Sequence, residues 1–200
     1  LIDITQGTYQ GLGNDIIKSA HYPVEPGEIK AALSDLHQYP RLSADIETGS
    51  LDFDKAGIGT ITFCWNQHEG VAFACDYRPY PKDFIGPIPN GHHGYLEANP
   101  EVRRELKAFF ESYKGALTWH KSNYDLSILI YELWMDDLLD TEGLLTGLEV
   151  MTTSYHDTKI LAYLALNSTA GNELALKQLA HEFAGNWAND DIKNIRKIPL

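Results

Sequence analysis

The segment RLSADIETGSLD, Arg41 to Asp52, puts two carboxylates, Asp45 and Glu47, into what otherwise reads as the entry to a buried strand. Side chains on a strand alternate, so these two point to the same face. Two carboxylates on one face repel, and holding them dry costs stability. A divalent cation between them makes the pair favourable, and hard oxygen ligands suit Mg2+ or Mn2+. The competing reading is an edge strand whose exposed face is acidic.

The chain around this pair has 200 residues, 44% of them hydrophobic, enough for one sizeable domain with a proper core. No apolar run approaches the ~20 residues that a membrane helix needs. The opening LIDITQGTYQ has neither a basic start nor an apolar stretch, so it does not read as a signal peptide. The chain starts without Met and ends on KIPL, which reads as a piece of a longer protein. Cys64 and Cys75 show neither metal spacing nor a disulfide framework; reduced thiols in the cytoplasm are the expectation. The formal net charge of −12 argues against a broad nucleic-acid clamp, which is normally basic. It leaves room for an enzyme that holds a few nucleotides through metal ions.

Residues 1–25 read as irregular, broken by Gly11, Gly13, Pro23 and Pro26, and a helix follows, with Ile29, Ala32, Leu33 and Leu36 at helical spacing up to Pro40. Three strands are expected at about 41–47, 58–66 and 70–77, the last two forming a hairpin. Residues 78–98, rich in Pro and Gly, read as a loop. Asn99 and Pro100 suit the start of a helix whose apolar face is Val102, Leu106, Phe109, Phe110 and Tyr113. GALTWH reads as a short buried strand. Leu126, Leu129, Ile130, Leu133 and Trp134 mark an amphipathic helix after it. LEVMTTSYHD is a further strand candidate, and helices are expected at about 158–167 and 174–184, with Asp190 and Asp191 opening another. This order describes an α/β layer with a mixed central sheet flanked by helices.

A third acid joins the first two. Asp125 falls in the first turn of the helix after the GALTWH strand, where the helix N-terminus stabilises a carboxylate. A plain capping role is the alternative, although Asn123 is as well suited to it. Taken in order, DIETGSLD, then WHKSNYDLSIL, then YHDTKILAYLALNSTAGNELALKQLAHEFAG resemble the 3′→5′ exonuclease domain of family A DNA polymerases, the DNA polymerase I type, in its bacteriophage versions. The resemblance covers about residues 40–186.

That resemblance implies a ribonuclease H-like, DnaQ-like fold, with 1–40 as a lead segment carrying one helix and 41–200 as the exonuclease domain. It implies two divalent ions, Mg2+ or Mn2+, held by carboxylates that map here onto Asp45, Glu47 and Asp125. Thr48 and Leu51 match positions that touch the terminal nucleotide, Leu51 wedging against the last base. The implied partners are a single-stranded DNA 3′ end and a polymerase domain in the same parent chain, with no membrane. Proofreading hydrolysis during DNA replication is the implied activity.

Two departures stand out. Lys121 sits where the family has Asn; it is expected to reach a phosphate, or Asn123 to take the polar role. No Tyr in the chain has Asp four residues on, so the third motif is expected beyond Leu200. A rival alignment reads His120-x4-Asp125 as the third motif of a related branch, with His120 as general base and Asp76 or Asp83 as the second-motif acid. Competing functions are a free-standing DNA or RNA 3′ exonuclease of the same superfamily, and a catalytically silent scaffold of the same fold. His92 and His93, in the Pro/Gly loop, have no third ligand at useful spacing. Trp65, Trp119 and Trp134 read as core, Trp187 as surface or domain contact, and Asp157 or Thr158 as a helix N-cap. Asp136, Asp137 and Asp140 read as a solvated loop, and Asp52 and Asp54 as turn residues.

Overall fold

A computed structural model describes residues 18–81, 83–86, 94–166 and 174–184, the last four as backbone only. Its contacts divide the chain into two compact units, one spanning Ser19–Thr158 and the other Leu1–Lys18 with Lys159–Leu200.

The first unit is built on a six-stranded sheet. Its strands are β1 (Ser19–His21), β2 (Arg41–Glu47), β3 (Thr60–Cys64), β4 (Glu69–Ala74), β7 (Ala116–Trp119) and β8 (Tyr155–Asp157), in the spatial order β1-β4-β3-β2-β7-β8. β2, β3 and β4 form an antiparallel meander, with Asp45 opposite Thr62 and Glu47 opposite Thr60. β7 and β8 are added in parallel on the other side of β2, with Ser43 opposite Thr118 and Trp119 opposite Asp157.

β2 alternates strictly: Leu42, Ala44 and Ile46 are buried, while Arg41, Ser43, Asp45 and Glu47 are exposed. The buried row continues across the sheet through Ile61, Phe63, Val71 and Phe73. Helices α1 (Pro26–Asp35), α2 (Pro100–Ser112) and α3 (Asn123–Trp134) supply the other half of the core. Phe63 meets Phe109 edge-on with ring centroids 5.2 Å apart, a favoured geometry for buried aromatics. The Asn99 side chain accepts the Val102 amide at the start of α2, with Pro100 in its first turn. Ser19–His21 and Pro26–Asp35 lie in the same compact unit as the sheet.

Several stretches differ from the sequence expectation. Ser19–His21, within the stretch expected to be irregular, is a strand paired in parallel with β4. Residues 78–98 are not all loop. Tyr77–Pro79 (β5) and Gly94–Leu96 (β6) pair as an antiparallel ribbon, Tyr77 opposite Leu96 and Pro79 opposite Gly94. Strands of three residues carry almost no periodic signal, and Pro at a ribbon end masks what remains. The LEVMT part of the strand candidate is instead the end of a helix, α4 (Thr141–Thr152), and the strand is confined to Tyr155–Asp157. Asp140 is the N-cap of α4, its side chain accepting the Gly143 amide, rather than part of a loop. Gly147 permits the packing: a Cβ there would meet Ile130 Cγ2 at 2.7 Å. α5 begins at Thr158, the last residue of the first unit, and runs to Ala165, and α6 spans Leu176–Ala184.

A buried ion pair ties the end of the meander to the helices. Asp76 is 1% exposed and accepts from Arg103 Nε at 2.9 Å and Nη2 at 2.6 Å. It also accepts the amides of Ile58 and Asn99. Arg103 reaches Glu132 of α3 at 2.7 Å. Removing one partner strands a buried charge, which is far costlier than the pair is stabilising. Arg103→Met is therefore expected to lower stability by about 3–5 kcal/mol, read as a fall in the urea midpoint at neutral pH.

Candidate active site

Parallel pairing of β2 and β7 brings their C-terminal ends side by side, and α3 starts just past the end of β7. In open α/β sheets this crevice beyond the strand ends is where ligands bind. The chain uses it for acids. Asp45 and Glu47 come from the exposed row of β2, and Asp125 from the first turn of α3.

The three carboxylates share one electrostatic field. Asp125 is only 7% exposed. Burial, then the charge of Asp45, push its pKa up to about 7; Asp157 and Glu47 add to the rise and a backbone hydrogen bond opposes it. Asp45 is also raised, first by the protein packed around its carboxyl and then by Glu47. Among the described residues, no group of three or more His, Cys, Asp or Glu is already placed to hold a metal ion. The donor set nevertheless fits hard divalent cations: oxygens only, negative charge in excess, and one acid driven to hold a proton near neutrality.

The loop after β2 is tied to the same helix turn. The Thr48 and Tyr124 hydroxyls lie 2.8 Å apart, and both reach the Ser50 carbonyl, at 3.2 and 2.9 Å. Tyr124 precedes Asp125, so this cluster links both acid-bearing segments; sequence reasoning passed over it. Leu51 projects from the loop with 88% of its surface exposed. Lys121 and Asn123 are exposed at the start of α3, while Ser122, the N-cap residue, is buried.

Asp157, expected as a helix N-cap, has a further role that the sequence reading did not give it. Its carboxylate accepts the amides of Lys121 at 3.0 Å and Ser122 at 2.7 Å, and the Ser122 hydroxyl at 2.9 Å. It thus holds the turn into α3 across the sheet, a role beyond capping its own helix. The turn needs holding because Lys121 has φ = 59°, a left-handed conformation that costs a residue with a Cβ roughly 1–2 kcal/mol. The signal was present in YHDT, but its meaning depends on the register that sets Asp157 opposite Trp119.

The rival alignment loses its second acid. Asp76 is committed to Arg103, and Asp83 lies on an exposed turn. His120 Nδ1 lies 2.9 Å from the Thr158 hydroxyl. His92, His93, Trp187, Asp190 and Asp191 fall outside the described residues.

No family model matches the sequence, and no curated protein matches it significantly. Solved structures do match the fold. Pop2p of S. pombe, in its Mg2+- and Mn2+-bound form, superposes with a TM-score of 0.56 at 14% identity, covering 82% of this chain and 81% of that one. The fold is ribonuclease H-like. E. coli RNase D, an exoribonuclease involved in structured RNA processing, gives 0.51 at 13% identity over 87% of this chain, which spans 36% of that protein. Brucella melitensis NrnC bound to pGG gives 0.52 at 15% identity, covering 87% of this chain and 68% of that one.

The raised pKa of Asp125 sets a pH dependence with a definite sign. Between pH ~4 and ~7 the folded protein holds a proton there that the unfolded chain has released, so this group's contribution to stability falls as pH rises. In the presence of a chelator, Asp125→Asn is expected to melt above the wild type at pH 8, with the gap closing at pH 5. Asp157→Ala, which strands two amides, is expected to cost about 3 kcal/mol by chemical denaturation.

Proposed function

We propose that the chain is a divalent-metal-dependent 3′→5′ exonuclease, removing nucleotides from single-stranded 3′ ends. The observation that carries this reading is the coupling of Asp45 and Glu47, in the C-terminal half of β2, with Asp125, in the first turn of the helix after β7. The ribonuclease H-like fold supports it, as does the ordered sequence resemblance.

In this reading Asp45, Glu47 and Asp125 hold Mg2+ or Mn2+, whose chemistry is to lower the pKa of a water and to offset charge on the leaving 3′ oxygen. The protein's own contribution is placement. β2 fixes two acids at a spacing of two residues, and Asp157 with the Ser122 turn fixes the helix that carries the third. The Thr48–Tyr124–Ser50 cluster holds the loop on which Leu51 meets the substrate end. Lys121 and Asn123 are candidate contacts to the strand. A paired terminus needs unpairing before it enters, which favours single strands and frayed ends.

Two versions of the activity remain distinct. The sequence motifs favour a proofreading domain joined to a DNA polymerase. The neighbours by fold favour a free-standing exonuclease, since RNase D is an exoribonuclease and the NrnC structure holds pGG. We adopt the free-standing version, with polymerase attachment as the second reading. Cytoplasmic action fits both; among the described residues no helix is long and apolar enough to cross a membrane.

The test is digestion of 5′-labelled single-stranded DNA and RNA with Mg2+ or Mn2+. The wild type is expected to produce a ladder that shortens from the 3′ end. Asp45→Ala and Asp125→Ala are each expected to cost at least about a thousand-fold in rate, because such groups act as a unit. A wild type inert on both strands with both metals would overturn the proposal.

A further inference from the structure

The outer face of α4 is apolar where a surface helix is normally charged. Two glycines one turn apart fix which face points inward. A Cβ on Gly143 would strike the Trp134 carbonyl oxygen, and one on Gly147 would meet Ile130. At 3.6 residues per turn, Leu145 lies opposite these glycines, with Leu144 and Leu148 on one flank. The exposures agree: 62% for Leu145, 38% for Leu144 and 39% for Leu148. Turning the helix to hide Leu145 would drive other side chains into α3.

The turn leading into α4 presents two more leucines, Leu138 and the almost fully exposed Leu139. It is held in place by its acids. The Leu139 amide donates to Asp137 Oδ1 at 2.7 Å, and the Asp136 amide to Asp140 Oδ2 at 3.0 Å. Ordered leucines facing solvent mark an interaction surface.

The charge around them has one sign. Glu142 and Glu149 stand three before and four after Leu145, along the flank opposite Leu144 and Leu148. Asp136, Asp137 and Asp140 belong to the turn, and the sequence from Ser122 to Thr158 contains no Lys or Arg. Among the described residues none of these five acids forms an ion pair.

Charge separates the surfaces that leucines attract. A second copy brings the same acidic rim and a net charge of −12, so the two faces repel. Nucleic acid and anionic lipid are themselves negative. A protein helix with an apolar stripe flanked by cations matches the leucines and the rim together.

We propose that the outer face of α4, with Leu138 and Leu139 ahead of it, docks an amphipathic helix of a partner protein whose apolar stripe is flanked by Lys or Arg. None of these residues belongs to the acidic site on β2 and α3, so the inference does not depend on the exonuclease reading.

The test uses the full chain and three labelled synthetic peptides, read by fluorescence anisotropy. The first carries Leu at helical spacing flanked by Lys. The second keeps the Leu and has Glu for Lys; the third keeps the Lys and has Ser for Leu. Only the first is expected to bind. Leu145→Asp is expected to weaken it at least about ten-fold, as loss of a central interface residue does. Glu142→Lys combined with Glu149→Lys is expected to reverse the preference between the first two peptides. Melting curves matching the wild type establish that the variants are folded, and if Leu145→Asp melts low the charge reversal decides alone. Sedimentation velocity is expected to show a monomer, and flotation with phosphatidylcholine–phosphatidylserine vesicles no binding. The proposal is overturned if the wild type binds none of the peptides, if the Glu or Ser peptide binds as well as the first, or if a folded Leu145→Asp keeps the wild-type affinity. It is equally overturned if Leu145→Asp dissociates a dimer or releases the chain from vesicles, which would give this face to a second copy or to lipid.

Discussion

The parallel pairing of β2 with β7 is the constraint on which the rest of the site depends. A parallel neighbour cannot be reached by a tight turn, so β3, β4, the ribbon and α2 all lie between these strands in the chain. The same pairing puts two strand ends and one helix start at a single edge of the sheet. Three acids separated by up to 80 positions meet there because of backbone hydrogen bonding, and their side chains oppose the meeting. The Asp125 pKa is raised first by burial and then by the charge of Asp45.

The fold answers this repulsion with apolar burial on the opposite face. Every second residue of β2 is sunk among Leu, Ile and Phe side chains, so the strand cannot slip by one residue without exchanging its acids for its core. The register that holds Leu42, Ala44 and Ile46 inside is the register that holds Asp45 and Glu47 out. Stability and the acidic cluster are thus two faces of one alternation.

Much of this was legible in the sequence where the signal was local. β2 was readable by its pattern, α2 by Asn99 and Pro100, and α3 by its apolar spacing. Asp125 followed from α3, because a position in the first turn of a helix needs no tertiary information. What escaped depended on contacts across the chain. The ribbon is three residues per strand and exists through pairing alone. Asp157 precedes a helix and looked like a cap, but the register of β8 against β7 directs its carboxylate to the amides of Lys121 and Ser122. α4 was hidden because its N-cap, Asp140, stands among other acids that suggested open solvent. Tyr124 stood in plain view beside Asp125, yet its bond to Thr48 is a fact of the fold.

The left-handed turn at Lys121 explains a departure that looked chemical. Asn is among the residues most at ease in that conformation, so an Asn in the corresponding place of polymerase exonucleases can be understood through backbone shape without invoking its amide. Lys tolerates the shape less well, and here the Asp157 carboxylate grips the strained peptide directly. The backbone shape at position 121 thus rests on a carboxylate 36 residues further along the chain, and it leaves the Lys121 side chain exposed at the start of α3.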